Sequence, residues 1–248
     1  MKIFMNMNLT KDHSRALISK FDSDISSSEM FKRAWQARPK GHVLIPPDGS
    51  QDQTILRNFR FSTAQKKWAT ENGLPAKSSL EDIGLAQIEE SGAEVFYNHN
   101  WQLMSKNFLS RLPGCVRYKV AWHGAPSPNS LHLQYDLVLS NFPHLNQIYK
   151  KEGAKRVEYF TPSHDQEAEQ YLSDNRPIDI LFVGTFSRHH KNRALFLESI
   201  APLSERYNLH MHLQNSRYTA LAETPLGLIG PLNQVRRPAS IRRIAKNP

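Results

Sequence analysis

A cluster of cationic and hydroxyl-bearing side chains follows an apolar run in the last third of the chain. The run, residues 178–183, is interrupted only by Asp179, and its length predicts a strand buried on both faces of a parallel sheet. Apolar residues at helical spacing follow it, from Ala194 to Ile200. A strand, a glycine-containing turn and a helix offer backbone N–H groups and a positive dipole end to an anion, most simply a nucleotide diphosphate. The candidate anion-binding residues are Gly184, Thr185, Ser187, Arg188, His190, Lys191 and Arg193.

The same residues also fit an ordinary strand-to-helix turn with a solvated charge cluster, and the pattern alone leaves both interpretations open. Gly184 stands alone, so the G-x-G-x-x-G dinucleotide pattern is missing, and the sequence contains no G-x-x-x-x-G-K-[ST] motif. The sequence therefore argues against a P-loop NTPase and against the usual dinucleotide fingerprint.

Histidines follow two predicted strands in the first two thirds of the chain. His99 comes after a strand predicted over residues 93–97, and His123 follows one predicted over residues 116–122. Ligands of open parallel sheets bind beyond the carboxyl ends of the strands, where histidine can act as a general base or donate to a sugar or phosphate oxygen. A single histidine of this kind is more often an ordinary surface residue, but two at equivalent strand ends favour a functional role. Four neighbours are candidate ligand contacts: Asn98, Asn100, Gly124 and Ser140.

The elements that must position these residues alternate between strand and helix. Further strands are predicted over residues 1–8, 42–45, 136–139 and 156–160, and S-x-x-E capping boxes at Ser26 and Ser78 predict helix starts. Residues 9–25 are predicted as a loop, and residues 48–75 as irregular, with aromatic side chains that serve packing rather than substrate binding. This alternation predicts an α/β fold with parallel sheets and helices on both faces. The predicted boundaries are a first domain over residues 1–162, a linker over 163–177 and a second domain over 178–248.

Composition narrows the function classes. The net charge of +9 would suit a nucleic-acid partner, but a C-terminal segment without aromatic residues carries much of it, so we expect a solvated tail and no nucleic-acid partner; binding through that tail stays a third alternative.

No apolar stretch approaches the roughly 20 residues that span a bilayer, and no signal peptide is recognisable. Cys115 is the only cysteine, which fits a reducing, cytoplasmic location. No metal site is expected, because H-E-x-x-H is absent and alternation on one exposed strand face explains His210 and His212.

Several blocks of the sequence resemble bacterial glycosyltransferases of the GT-B superfamily, in particular the group-1-type family that includes spore-maturation CgeB-like proteins. The resemblance spans roughly residues 80–212. It rests on the strand Tyr-Asp-Leu-Val-Leu-Ser at 135–140 followed by Pro143, on Phe-Thr-Pro at 160–162, and on Phe-Val-Gly at 182–184 followed by His190 and Arg193.

The resemblance implies two Rossmann-like domains facing each other across a cleft and a hexosyltransferase-type activity that needs no bound metal or cofactor. The Gly184–Arg193 turn would contact the diphosphate of a nucleotide-sugar donor. His99 and His123 would be catalytic and face the transferred sugar and the acceptor, a glycan or a related molecule, alongside Asn98, Asn100, Gly124 and Ser140.

The second domain is expected to be incomplete, because only about 70 residues follow Ile178. Two hypotheses follow: an active sugar transferase, or a non-catalytic module of the same ancestry that binds a glycan, a nucleotide or a partner protein. The sequence leaves open the sugar, the nucleotide, the stereochemical outcome and self-association.

Overall fold

A computed structural model describes residues 1–7, 11–22, 24–36, 43–44, 46, 49–99, 104–124, 128–163, 166–186, 191–214 and 217–246. The chain separates into two compact units, Met1–Glu169 and Gln170–Pro248. Candidate residues Asn100, Ser187, Arg188 and His190 lie outside the described residues.

The first unit is built on a six-stranded sheet in which all neighbouring strands are parallel. The strand order is β2-β1-β3-β4-β5-β6. The chain passes from β1 to β2 on one side of it and then crosses to β3 on the other side. The strand order therefore reverses between β1 and β3. The predicted α/β class is confirmed. The strands are β1 (Lys2–Asn6), β2 (Gln53–Arg57), β3 (Val95–Asn98), β4 (Tyr118–Trp122), β5 (Leu137–Ser140) and β6 (Val157–Tyr159).

Six helices connect these strands within the described residues, and their ends follow local capping chemistry. Ser26 accepts the backbone N–H of Glu29 at 3.2 Å, as its capping box predicts. At the next capping box, Ser79 rather than Ser78 accepts the N–H of Asp82 at 3.1 Å, and Gly92 ends that helix with φ of 61°. The helices are α1 (Lys11–Ile18), α2 (Ser27–Gln36), α3 (Ser62–Glu71), α4 (Leu80–Ser91), α5 (Lys106–Ser110) and α6 (Pro143–Lys151), with a 3-10 helix over Pro128–Gln134.

The prediction of a second strand over residues 42–45 is wrong for Val43 and Leu44, the two of these residues that the structure describes. The second strand is β2, which begins eleven residues later, and Val43 and Leu44 instead belong to the apolar cluster on the sheet that also contacts Leu56. As an edge strand that is only partly buried, β2 lacks the continuous apolar run by which a central strand is recognised. The helices α1 and α3 likewise lie in segments predicted as loop or irregular.

The aromatic residues of that irregular segment serve packing, as expected. Phe59, Phe61 and Trp68 are all buried. The Phe59 ring lies 5.9 Å from Phe4 and 5.7 Å from Phe108, measured between ring centroids. Gly84 allows α4 to approach this cluster, since a Cβ at that position would lie 2.7 Å from the Phe59 ring. The cluster fixes α4 and α5 against one face of the sheet.

The second unit contains a smaller parallel sheet with the order β7-β8-β9. Leu181 and Val183 on β7 are 59% and 64% exposed, so the prediction of a strand buried on both faces is wrong. The described apolar residues of the helices pack with Leu209, Met211 and Leu213 on one face of this sheet. The half-buried His210 and His212 alternate with these three buried residues, as predicted. The elements are β7 (Ile180–Thr185), α7 (Lys191–Ile200), β8 (Leu209–Gln214), α8 (Arg217–Ala222), α9 (Ala239–Ile244) and β9 (Ala245–Lys246).

The basic C-terminal segment is not the solvated tail that its composition predicts. It forms α9 and β9, and Ile241 is fully buried in the core of the second unit. Arg237 is also buried, with its Nε 3.0 Å from Oε1 of Glu223. Arg237 of this segment is therefore part of the folded core, where the Glu223 carboxylate neutralises it.

His132 makes the stability of the first unit sensitive to pH. Its ring is fully buried, 5.1 Å from Tyr149, and its Nε2 lies 3.1 Å from a carboxylate oxygen of Glu152. Burial lowers the pKa of His132 from its usual value of 6.5, and the nearby Glu152 offsets this only in part. The unfolded chain therefore takes up a proton that the folded chain resists, and stability present above pH 6.5 is lost as the pH falls below it.

We expect the midpoint of thermal unfolding to fall more between pH 7.5 and pH 5.5 in the wild type than in His132→Leu. Circular dichroism melts at the two pH values measure this difference, with the exposed His144→Gln as the control that keeps the wild-type slope. A wild-type chain that gains stability relative to His132→Leu on acidification would mean that the Glu152 ion pair outweighs burial.

Candidate functional site

The carboxyl edge of the six-stranded sheet gathers most of the residues predicted from the first domain. Ligands of such sheets bind where the strand order reverses, here between β1 and β3. The strand register places Arg57, Asn6, Asn98 and Ala121 at one level across β2, β1, β3 and β4. Residues one position further along each strand therefore form the rim of the edge.

His99 lies on this rim next to the reversal and is half-buried. Its backbone N–H donates to the carbonyl of Asn6 at 2.9 Å, which continues the pairing of β3 with β1. Because Asn98 pairs with Ala121, His99 is level with Trp122 on the neighbouring strand. The imidazole stacks on the Trp122 indole, with centroids 4.5 Å apart and planes 5° apart. Trp122 was not among the predicted site residues, and only the register reveals it.

His123 does not occupy the position equivalent to His99, in contrast to the prediction. It lies one residue beyond the level of His99, and its backbone N–H donates to the carbonyl of Leu139 at 3.1 Å. Gly124 follows, and a Cβ there would lie 3.0 Å from the Phe142 ring and 3.6 Å from Trp122. Both histidines therefore belong to the same edge, but the stacked pair is His99 with Trp122.

The side chains of Asn98 and Ser140 are directed into the protein. Asn98 is fully buried, accepts a hydrogen bond from Asn6 Nδ2 at 2.9 Å and donates from its own Nδ2 to the Tyr135 hydroxyl at 2.8 Å. Ser140 is also fully buried, and its hydroxyl accepts the backbone N–H of Phe142 at 3.2 Å. These groups hold strand ends and the entry to α6, so contact with an acceptor stays a prediction for both.

In the second unit, Gly184 and Thr185 belong to β7 rather than to the turn after it. They pair with Leu213 and Gln214 on β8, so the strand begins and ends two residues later than predicted. Lys191 and Arg193 are exposed in the first turn of α7, a helix of ten residues. Of the predicted donor-binding residues that the structure describes, these two cations are the ones at a helix start.

The arrangement can present two kinds of chemistry, and neither involves a metal cluster among the described residues. No group of three or more His, Cys, Asp or Glu side chains is placed to hold a metal ion in that part of the chain. Both ring nitrogens of His99 are buried, so proton exchange with a ligand hydroxyl stays a prediction for His99 and His123. Lys191 and Arg193 are exposed cations that can neutralise an anion. None of the helices that the structure describes is both long and apolar enough to cross a bilayer.

Comparison with known proteins adds no assignment: no family model matches this chain, and no curated protein matches it.

Proposed function

We propose that this chain transfers a sugar from a nucleotide-diphosphate donor to a glycan or related acceptor. The observation that carries the proposal is the reversal of strand order between β1 and β3, with His99 on the rim beside it. In this reaction a histidine takes the proton of an acceptor hydroxyl as its oxygen bonds to the anomeric carbon. The bond from that carbon to the diphosphate breaks, and the nucleoside diphosphate leaves with its electron pair.

Lys191 and Arg193 support the donor side of the proposal. Both are exposed in the first turn of α7, and five residues separate the end of the parallel strand β7 from the start of this helix. Their charges and the N-terminal dipole of α7 would stabilise the negative charge that develops on the leaving diphosphate. His99 and His123 are assigned to the acceptor and the transferred sugar.

Calorimetric titration of the whole chain with UDP, GDP and ADP tests the donor half. We expect one of them to bind with micromolar affinity and Arg193→Ala to weaken that binding by about tenfold or more, since a charge-assisted contact is lost. Arg206→Ala removes an exposed cation elsewhere in the same unit and should leave the affinity unchanged. Failure of all three nucleotides to bind would remove the donor assignment.

Release of nucleoside diphosphate from nucleotide-sugars tests the chemistry. His99→Ala is expected to lower the turnover by about a hundredfold, the usual contribution of a general base, while the nucleotide affinity stays as in the wild type. His123→Ala, compared under the same conditions, identifies which histidine acts as the base. Unchanged turnover in both variants would contradict a catalytic role for the sheet edge.

A non-catalytic module of the same ancestry is the second candidate. It is favoured by Asn98 and Ser140, whose side chains are directed inward, so that two of the four predicted acceptor contacts serve the fold. This alternative predicts nucleotide or glycan binding without any release of nucleoside diphosphate.

A further inference from the structure

A pocket beside α2 opens at the carboxyl ends of β1 and β2. It is a concavity of about 310 Å³ that is partly open to solvent. Its walls are mainly apolar and include Met7, Phe31, Trp35 and Leu56, while Arg57 and Asn58 supply the polar groups. The pocket lies at the edge where ligands of such sheets bind, one strand away from the reversal of strand order.

Arg57 brings a charge into these apolar surroundings. Its guanidinium carbon lies 4.8 Å from the centroid of the Phe31 ring, and Nη1 donates to the carbonyl of Leu56 at 2.9 Å. Nε is buried and has no acceptor among the residues that the structure describes. Burial lowers the pKa of Arg57 below its usual value of 12.5, with Glu90 acting in the opposite direction. The side chain is therefore a partly desolvated cation with an unused donor.

Other arginines of this protein have a glutamate partner at Nε, which Arg57 lacks among the described residues. Arg33 and Arg237 each place Nε within 3.0 Å of a glutamate oxygen. In the portion of the chain that the structure describes, no carboxylate lies within 4.0 Å of the Arg57 guanidinium. A partly buried cation without a close counter-ion loses hydration that nothing replaces, and an anion from outside the chain would offset that loss.

The second polar residue of the pocket is already occupied by the fold. The Asn58 carboxamide accepts the backbone N–H groups of Arg60 and Phe61 and donates to the carbonyl of Met7. Arg57 is consequently the recognition group that the pocket offers, and its single positive charge matches a monoanion. The apolar walls match a hydrocarbon body attached to that anion.

We propose that this pocket binds a carboxylate carried on a small aryl or alkyl group, with the Arg57 guanidinium as its counter-ion. Guanidinium and carboxylate are complementary in shape and charge, and the aromatic walls exclude water from the pair. The site is separate from the sugar-transfer proposal, and nucleotide binding should persist when Arg57 is replaced.

Benzoate and its neutral analogue benzamide, added to the whole chain at matched sodium chloride, form the test. We expect benzoate to raise the melting temperature in a saturable manner and benzamide to leave it nearly unchanged. Arg57→Gln should weaken benzoate binding by about tenfold to a hundredfold, as loss of a charge-assisted contact implies. Arg60→Gln removes an exposed arginine three residues away and should bind benzoate as the wild type does.

Arg57→Lys keeps the positive charge but removes the planar guanidinium. It replaces Arg57→Gln in the binding test if that variant does not fold. We expect it to bind benzoate at least about tenfold more weakly than the wild type. Equal stabilisation by benzoate and benzamide, or unchanged affinity in the Arg57 variants, would overturn the proposal. Stabilisation by inorganic phosphate but not by benzoate would overturn the assignment of a carboxylate with an apolar body.

Discussion

Replacing Glu223 with alanine is expected to lower the free energy of unfolding of the second unit by about 3–5 kcal/mol. The Arg237 side chain is only 3% exposed, and its Nε lies 3.0 Å from Oε1 of Glu223. The same oxygen accepts the Arg237 backbone N–H at 3.2 Å, and Arg242 Nε lies 3.7 Å from the other oxygen. Removing the carboxylate therefore leaves a buried guanidinium uncompensated at the entry to α9.

Hydrogen exchange of the β8 peptides in increasing urea measures this change, because β8 lies at the centre of the second sheet. Glu198→Ala removes an exposed carboxylate from α7 and is the matched control, expected within about 0.5 kcal/mol of the wild type. The double variant Glu223→Leu/Arg237→Met should recover much of the loss, since it removes both charges. A loss below about 1 kcal/mol in Glu223→Ala would mean that the C-terminal segment contributes little to the second core.

Asn98→Ala is expected to cost the first unit about 2–4 kcal/mol, because it leaves two buried polar groups without this partner. The amide of Asn6 loses its acceptor and the hydroxyl of Tyr135 loses its donor. Burial raises the pKa of Tyr135, so the phenol stays protonated and cannot relieve the loss by ionising near neutral pH. Tyr135→Phe removes one hydrogen bond and should cost less, about 1–2 kcal/mol.

Tryptophan fluorescence during urea unfolding reports on these variants, because all four tryptophans precede residue 170. Asn107→Ala, an exposed position on α5, is the control and should unfold like the wild type. The experiment also separates a structural role from a role in binding. If Asn98→Ala kept its stability but lost affinity for an acceptor sugar, Asn98 would be a ligand contact after all.

The two proposed sites of the first unit use one edge of one sheet in different ways. His99 lies on the rim beside the strand reversal, stacked on Trp122, and its proposed role is proton transfer. Arg57 lies on β2, paired with Asn6 in the register, and contributes charge rather than proton transfer. Neighbouring strands of a sheet are spaced about 4.8 Å apart, so the backbones of β2 and β3, with β1 between them, are about 10 Å apart.

Local signals were sufficient for much of the secondary structure. Ser26 and Gly92 mark helix ends because capping is decided by a few neighbouring residues. The capping box predicted the start of α4 to within one residue, since the cap is Ser79 and not Ser78. Local signals failed at β2, an edge strand, and at the C-terminal segment, where buried Ile241 and Arg237 look like part of a basic tail until Glu223 is brought to them.

By itself, the sequence determined the alternation of strands and helices, the parallel α/β class and the presence of histidines at the ends of two strands. It did so because periodicity and caps act over a few residues. Only the tertiary structure decided that His99 stacks on Trp122, that Asn98 is directed inward and that Arg57 lies over Phe31. Each of these contacts joins residues far apart in the chain, and strand register and helix packing, which bring them together, depend on the whole core rather than on any short stretch.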